Sequence, residues 1–172
     1  RLSAIDYVLP VASAQGKSCV LLAGLAADGA TTVTEPQASR DHTERMLTRA
    51  GADVRRDGTS VSVRELDELV LEDLRVPGDP SSAAFAITAA VLVPGSRLLV
   101  QDCGVNWTRV GFLRILQRMG GIVLGDLEDP PEPGEERFPS DDPIAELDVA
   151  YGPLTGTVVS AEPFEDDNSE SG

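Results

Sequence analysis

The 172-residue chain carries an internal duplication that constrains its fold more than any other feature. Gly29 aligns with Gly95 at an offset of 66 residues, and Gly51 aligns with Gly120 at an offset of 69. Each of these glycines follows an apolar segment with helical character and precedes a segment that favours a strand. A repeat of this length predicts two similar α/β units, which bury their apolar faces against further copies.

The elements of the first unit are predicted from apolar periodicity and turn residues. They are a strand ending at Val8-Leu9, a buried helix from Gln15 to Ala27, a strand at Thr31–Glu35, a helix from Asp41 to Arg49, and a hairpin around Asp57-Gly58. Asp41 and Glu44 have capping-box spacing. A further strand is predicted from Leu69 to Val76.

The second unit repeats this order. Its predicted elements are a helix from Asp79 to Val93, a strand at Leu98–Val100, a helix at Thr108–Met119, a strand at Ile122–Leu124, and possible strands at Leu147–Tyr151 and Thr157–Val159. Asp79 and Thr108 are expected to cap their helices. The boundary between the units falls near Arg75–Gly78.

The net charge of −15 is concentrated in the last third of the chain. Residues 126–172 contain 15 acidic residues and one basic residue, Arg137, which leaves 29 − 15 = 14 acids and 14 − 1 = 13 bases in residues 1–125. The sequence therefore predicts a long exposed acidic loop at 126–143 and an acidic disordered tail at 161–172. A nearly neutral body with no long apolar run predicts neither a nucleic-acid partner nor a membrane span. Cys19 and Cys103 are expected to be buried thiols in a reducing cytoplasm.

Two segments are candidate anion sites because each precedes a helix. In the first, Ser13 to Ser18, free backbone N–H groups and the helix dipole favour phosphate, although Ser13 also suits a plain helix cap. The segment lacks the first glycine of a phosphate-binding P-loop, which makes nucleotide binding a distant alternative. Lys17, the only lysine, is expected on the outer face of the helix.

The second candidate segment is Ser39 to His42. Arg40 can form a bidentate pair with a phosphate or carboxylate, or it can be a surface residue paired with Asp41 or Glu44. His42, the only histidine, can be a general base or a surface residue. Composition and spacing leave both readings of each residue open.

Several long motifs in one order resemble the EPSP synthase (3-phosphoshikimate 1-carboxyvinyltransferase) family. They are Leu9 to Gln15 with Lys17-Ser18, Thr32 to Pro36 followed by Ser39 to Leu47, Val76 to Asp79 with Ser81 to Phe85, and Asn106 with Thr108-Arg109 and Arg118 to Gly120. The resemblance extends from about Ile5 to Leu124. It implies the enolpyruvyl transferase fold, in which each of two domains has three α/β units of βαβαββ type. Two such units are then present here, residues 1–75 as the last unit of the first domain and residues 76–160 as the first unit of the second.

The resemblance also implies a reaction and a set of ligands. The family transfers the enolpyruvyl group of phosphoenolpyruvate to shikimate 3-phosphate in chorismate and aromatic amino-acid biosynthesis, without a metal or organic cofactor. Ser13, Ala14 and Gln15 match the loop that holds shikimate 3-phosphate, and Gln15 also reaches the phosphoenolpyruvate side. Arg40 matches an arginine that contacts the shikimate ligand in one branch of the family.

Departures from the family pattern limit what this chain is expected to do alone. Gly16 stands where the family commonly has valine, and the family's remaining ligands and catalytic acids fall before Arg1 or beyond the matched region. No residue of the chain is therefore assigned as catalytic, and the missing flanking parts of the same enzyme are its expected partners. The alternatives are a non-catalytic phosphate-binding remnant of the same fold and the related transferase that acts on UDP-N-acetylglucosamine.

Overall fold

A computed structural model describes residues 2–71 and 73–159 of the chain. Within these residues the helices are α1 (Ala14–Gly24), α2 (His42–Arg49), α3 (Pro80–Leu92) and α4 (Gly111–Arg118). The strands are β1 (Leu2–Ser3), β2 (Asp6–Val8), β3 (Ala27–Asp28), β4 (Ala30–Thr34), β5 (Val54–Asp57), β6 (Ser60–Arg64), β7 (Arg97–Gly104), β8 (Ile122–Leu124) and β9 (Ile144–Ala150). None of these helices has both the length and the apolar character that crossing a bilayer requires.

The first unit is a four-stranded sheet with strand order β2-β4-β6-β5. β2 and β4 are parallel and are connected through α1, whereas β6 pairs antiparallel with both β4 and β5. Leu21 of α1, Val33 of β4 and Val63 of β6 are fully buried between the helices and the sheet. This core fixes the positions of the loops that follow β2 and β4.

The second unit repeats this topology with one strand reduced to a single bridge. Its sheet has the order β7-β9-β8, with antiparallel neighbours throughout. Gly78 forms a parallel bridge with Cys103 of β7, which is the counterpart of the pairing between β2 and β4. Ile87, Leu113 and Leu147 form part of its separate core.

The aligned glycines confirm the duplication at the level of backbone conformation. Gly29 and Gly95 have φ angles of 107° and 79°, and Gly51 and Gly120 have φ angles of 91° and 97°. Residues with a side chain rarely adopt these angles, so each glycine allows the chain to leave the preceding helix or turn. The structure is thus the mixed α/β arrangement of two repeated units that the sequence predicts.

The two units differ at one hairpin. β5 and β6 are joined by the two residues Gly58 and Thr59, whereas residues 125–143 separate β8 from β9. This acidic segment, 125–143, contains the loop at 126–143 that was expected to be exposed, and most of the residues of that loop are. That expectation is wrong for Phe138, which is 5% exposed and packs in the core of the first unit. The backbone N–H of Arg56 also donates to the carbonyl of Glu136 at 2.7 Å.

Other sequence predictions need correction. The described residues of the Leu69–Val76 segment contain no strand, because these residues pass between the units without a neighbouring strand, and Leu71 and Val76 are 81% and 78% exposed. Thr157–Val159 likewise forms no strand. The first helix ends at Gly24 rather than near Ala27. The tail at 161–172 lies outside the described residues.

The two cysteines have different environments. Both thiols are free, but only Cys103 is buried, and Cys19 is exposed on α1. Burial raises the pKa of Cys103. The expectation of two buried thiols is therefore half wrong, because the Cys19 position faces away from the packed side of α1.

Candidate functional site

The two candidate anion segments follow adjacent parallel strands. β2 leads into the Ser13 segment, and β4 leads into the Ser39-Arg40 segment. The N–H of Leu9 donates to the carbonyl of Thr34 at 2.9 Å, which continues the pairing beyond the ends of both strands. Because the carboxyl ends of parallel strands share one edge of a sheet, both segments lie at that edge, where α/β proteins commonly bind ligands.

The first segment begins at the capped start of α1. Ser13 is the N-cap of α1, and its Oγ accepts from the N–H of Gly16 at 3.1 Å. A serine hydroxyl that accepts in this way can still donate its own proton to an anion, so capping and anion binding are compatible here. Ala14 is half-buried and the Gln15 side chain is exposed in the first turn. The positive end of the helix dipole adds to the attraction for negative charge.

Arg40 is the exposed cation of the second segment. It makes no hydrogen bond or ion pair with the described part of the chain. The alternative in which Arg40 pairs with Asp41 or Glu44 is not observed, because other cations hold both carboxylates: Arg45 pairs with Asp41, and Lys17 pairs with Glu44. The guanidinium of Arg40 is therefore available for an anionic ligand.

Lys17 is buried rather than placed on the outer face of α1. Its side chain is 2% exposed, and its Nζ lies 2.7 Å from Glu35 and 2.6 Å from Glu44. Burial raises the pKa of Glu44 in spite of the opposing charge of Lys17. Glu44 is thus an ion-pair partner and does not close a capping box with Asp41, whose side chain makes no cap hydrogen bond.

Side-chain bonds connect the beginnings of α1 and α2. Ser39 donates its hydroxyl to Glu35 at 2.5 Å, and its backbone N–H lies 3.4 Å from the same carboxylate. Ser18 of α1 is 2.7 Å from Thr43 of α2 through their hydroxyl groups. The two candidate segments are therefore joined by polar contacts at the edge that they share.

A buried network links Asp41 to the second unit. Asp41 accepts from Nε of Arg45 at 3.1 Å, from Nδ2 of Asn106 at 2.7 Å and from the indole N–H of Trp107 at 3.4 Å. Arg45 also donates to Glu128 of the acidic segment at 2.9 and 2.8 Å. The residue that follows Arg40 is thus fixed by side chains from both units.

His42 has a partner in the acidic segment. Its Nδ1 lies 2.9 Å from both carboxylate oxygens of Asp142. Burial alone would raise the pKa of Asp142, but hydrogen bonds from His42 and Asn106 keep it below its ordinary value. Ligand atoms of Asp41, His42 and Asp142 lie within 4.8 Å of one another, yet Arg45 and Asn106 already occupy the carboxylates. These contacts make His42 part of the junction between the units.

The corresponding helix start of the second unit is occupied by an acid. Asp79 caps α3, as predicted, and accepts from the N–H groups of Ser81 and Ser82 at 3.1 Å each. Arg109 lies 2.8 Å from Asp79. A carboxylate at this position repels a second anion, so the start of α3 is closed to an anion in a way that the start of α1 is not. Thr108 was predicted to cap α4 but instead bonds to Asn106, because the helix begins later, at Gly111.

A cavity of about 610 Å³ lies at the junction between α2 and residues 73–80. Met46, Leu74 and Val76 contribute to its largely apolar wall. Neither Ser13 nor Arg40 lines it. The cavity therefore reaches the second candidate segment only at His42.

Sequence reasoning missed the polar groups that support the site. Lys17 and Glu44 are 44 − 17 = 27 positions apart and Asp41 and Trp107 are 107 − 41 = 66 positions apart, and no local pattern reveals such pairs. One signal was present, because a single lysine on a helix that is apolar on nearly all sides must be buried or must extend past apolar neighbours.

The sequence matches a known family model over most of its length. The model described as EPSP synthase (3-phosphoshikimate 1-carboxyvinyltransferase) matches residues 1–149. The 3-phosphoshikimate 1-carboxyvinyltransferase of Desulforudis audaxviator is 52% identical over 159 residues, covering 92% of this chain and 35% of the relative. The enzyme of the same name from Bacillus subtilis is 56% identical over 119 residues, covering 69% of this chain and 28% of the relative.

A solved structure supports the same relationship. The EPSP synthase from Acinetobacter baumannii superposes with a TM-score of 0.76 at 41% identity, covering 87% of this chain and 32% of that structure. The chain therefore spans about a third of the length of the proteins that it matches.

Proposed function

The chain belongs to the EPSP synthase family, and on this premise we propose that it is part of an enzyme that transfers the enolpyruvyl group of phosphoenolpyruvate to shikimate 3-phosphate. In this reaction a substrate hydroxyl attacks the enol carbon and loses its proton while the methylene gains one, and the tetrahedral intermediate then loses phosphate together with a proton of the new methyl group. The observation that carries the proposal is the family match, which includes both segments at the shared sheet edge.

The proposed role of this chain is to hold shikimate 3-phosphate. Ser13, Ala14 and Gln15 offer hydroxyl, backbone and amide donors at a helix start, and Arg40 offers an unpaired guanidinium in the segment that follows the neighbouring strand β4. Bound anions at such a site gain from the helix dipole and from charge-assisted hydrogen bonds. Gln15 is proposed to reach phosphoenolpyruvate as well, between the two ligands.

The remainder of the active site is proposed to come from flanking parts of the same enzyme. Residues 1–75 would be the last unit of one domain and residues 76–160 the first unit of the other, with the substrates between the domains. No catalytic acid or base is assigned within this chain. A cytoplasmic location also belongs to the proposal and is supported by the two free thiols.

The test is an assay of the complete protein encoded around this segment. Phosphate release should require phosphoenolpyruvate together with shikimate 3-phosphate, and UDP-N-acetylglucosamine should not replace the latter. Absence of release from the complete protein would favour a phosphate-binding remnant, whereas release with UDP-N-acetylglucosamine would favour the sister transferase.

The contribution of Arg40 can be measured in the same protein. Loss of one charge-assisted contact in Arg40→Ala should weaken shikimate 3-phosphate binding by about 1.5–3 kcal/mol, or roughly 10- to 150-fold. Arg64→Ala is the matched control, because Arg64 is an exposed arginine in the same unit, with a side chain that is 70% exposed. Equal dissociation constants for the two variants in calorimetric titrations would show that Arg40 is not a ligand.

A further inference from the structure

Arg40 is the exposed residue between two neighbours that are held in place. On one side, Ser39 makes two hydrogen bonds to Glu35. On the other side, Asp41 is 2% exposed and accepts hydrogen bonds from both units. The backbone of Arg40 is therefore fixed while its side chain remains open to solvent.

Lys17 is at the centre of the contacts on the Glu35 side. It belongs to α1, Glu35 to the loop after β4, and Glu44 to α2. One ammonium group thus joins three separate elements through contacts of 2.6 and 2.7 Å. A buried charge is tolerated only when it is paired, so each partner depends on the others for its position.

Lys17 is too enclosed to bind substrate itself. The cavity beside it measures about 20 Å³, room for roughly one water-sized probe and too little for a phosphate group. Its ammonium is occupied by two carboxylates. Any effect of this cluster on substrate binding must therefore pass through the residues that it positions.

We propose that Glu35, held by Lys17, is a positioning residue that sets the Ser39-Arg40 segment for binding of the substrate anion. This inference rests on the proposed function, in which Arg40 contacts shikimate 3-phosphate. Glu35 positions the Ser39-Arg40 segment through the hydroxyl and backbone N–H of Ser39 and does not touch the ligand. A misplaced ligand group costs affinity even when the group itself is intact.

The experiment compares variants of the complete protein. Glu35→Gln keeps the shape of the side chain but removes the negative charge that contacts both Lys17 and Ser39. Ser39→Ala removes only the hydroxyl that donates to Glu35. Ser60→Ala is the matched control, because it also deletes one hydroxyl bond in the first unit, to Thr34 at 2.8 Å. Thermal unfolding of each variant checks that the fold is retained.

Glu35→Gln should raise the KM for shikimate 3-phosphate about tenfold with little change in kcat. Ser39→Ala should raise this KM by a smaller factor, and Ser60→Ala should leave the KM unchanged. The decisive measurement is the double variant Glu35→Gln/Arg40→Ala. If Glu35 acts through Arg40, this variant should bind no more weakly than Arg40→Ala alone.

Two outcomes separate this inference from the proposed function. An effect of Arg40→Ala without any effect of Glu35→Gln or Ser39→Ala overturns the positioning role and leaves the anion site intact. The positioning role is also overturned if Glu35→Gln weakens substrate binding by the same factor in the Arg40→Ala background as in the unmodified protein, because an effect that is independent of Arg40 reflects general structural damage. Unchanged binding in Arg40→Ala removes the proposed ligand role and the positioning role together.

Discussion

Replacing Phe138 by alanine tests whether the acidic segment completes the core of the first unit. The Phe138 ring is 5% exposed, and the Arg56 guanidinium lies 4.1 Å from its centroid. Truncation of a buried phenylalanine costs about 3–5 kcal/mol. The segment has little regular structure and can partly close the space left behind, so we expect a loss of about 3 kcal/mol in the free energy of unfolding.

Urea unfolding of the 172-residue chain measures this loss. With a slope of about 2 kcal/mol per molar urea, the midpoint should fall by about 1.5 M. Phe85→Ala is the matched control because Phe85 is 84% exposed, and its truncation should change stability by less than about 0.5 kcal/mol. Phe138→Leu keeps most of the apolar volume but removes the cation–π contact, and it should cost about 1 kcal/mol.

Equal midpoints for Phe138→Ala and Phe85→Ala would refute the reasoning. The acidic segment would then behave as a solvated loop around Phe138, as its composition suggests, and the packing of this ring against the first unit would contribute nothing to stability. A loss in Phe138→Ala without any loss in Phe138→Leu would keep the packing argument and reject the cation–π contribution.

Other expectations concern buried charge, helix capping and completeness. Lys17→Met should cost about 3–5 kcal/mol in urea unfolding, because two buried carboxylates lose their cation. Burial raises the pKa of Glu44 above its ordinary value of 4.5. The neutral carboxyl group therefore contributes stability below pH 4.5, and this contribution is lost as the pH rises through the raised pKa. Glu44→Gln should make this loss of stability between pH 4.5 and neutrality smaller. Asp79→Ala should lower stability by about 1 kcal/mol in thermal unfolding through loss of the α3 cap, and Ser60→Ala is its control. The isolated chain should release no phosphate from both substrates, and release above the blank would contradict this.

Local signals predicted most of the secondary structure. The Asp57-Gly58 pair predicted the hairpin between β5 and β6, and Ile122–Leu124 is a strand with the predicted bounds. The wrong strand at Leu69–Val76 shows the limit of such signals. A β-rich composition favours an extended chain, but a strand also needs a neighbour with which to pair, and sequence composition does not supply one.

The candidate site could be predicted in part. Ser13 and Arg40 became candidates because each precedes a helix, and helix starts have a local signature. Local spacing left open whether Arg40 pairs with Asp41 or Glu44, because i, i+1 and i, i+4 spacing does not reveal tertiary competitors for these carboxylates. Arg45 and Lys17 take the neighbouring carboxylates, and only the packing of α1 against α2 makes Lys17 available.

The packing of Phe138 has a consequence for synthesis on the ribosome. Phe138 lies 138 − 64 = 74 positions after the last residue of β6, so the four strands of the first sheet emerge well before it. At about 5–20 residues per second, this interval lasts roughly 4–15 seconds. During that time the nascent sheet has an open apolar gap where the ring will pack, a surface of the kind that chaperones recognise. The first unit therefore completes its folding only after most of the second has been synthesised.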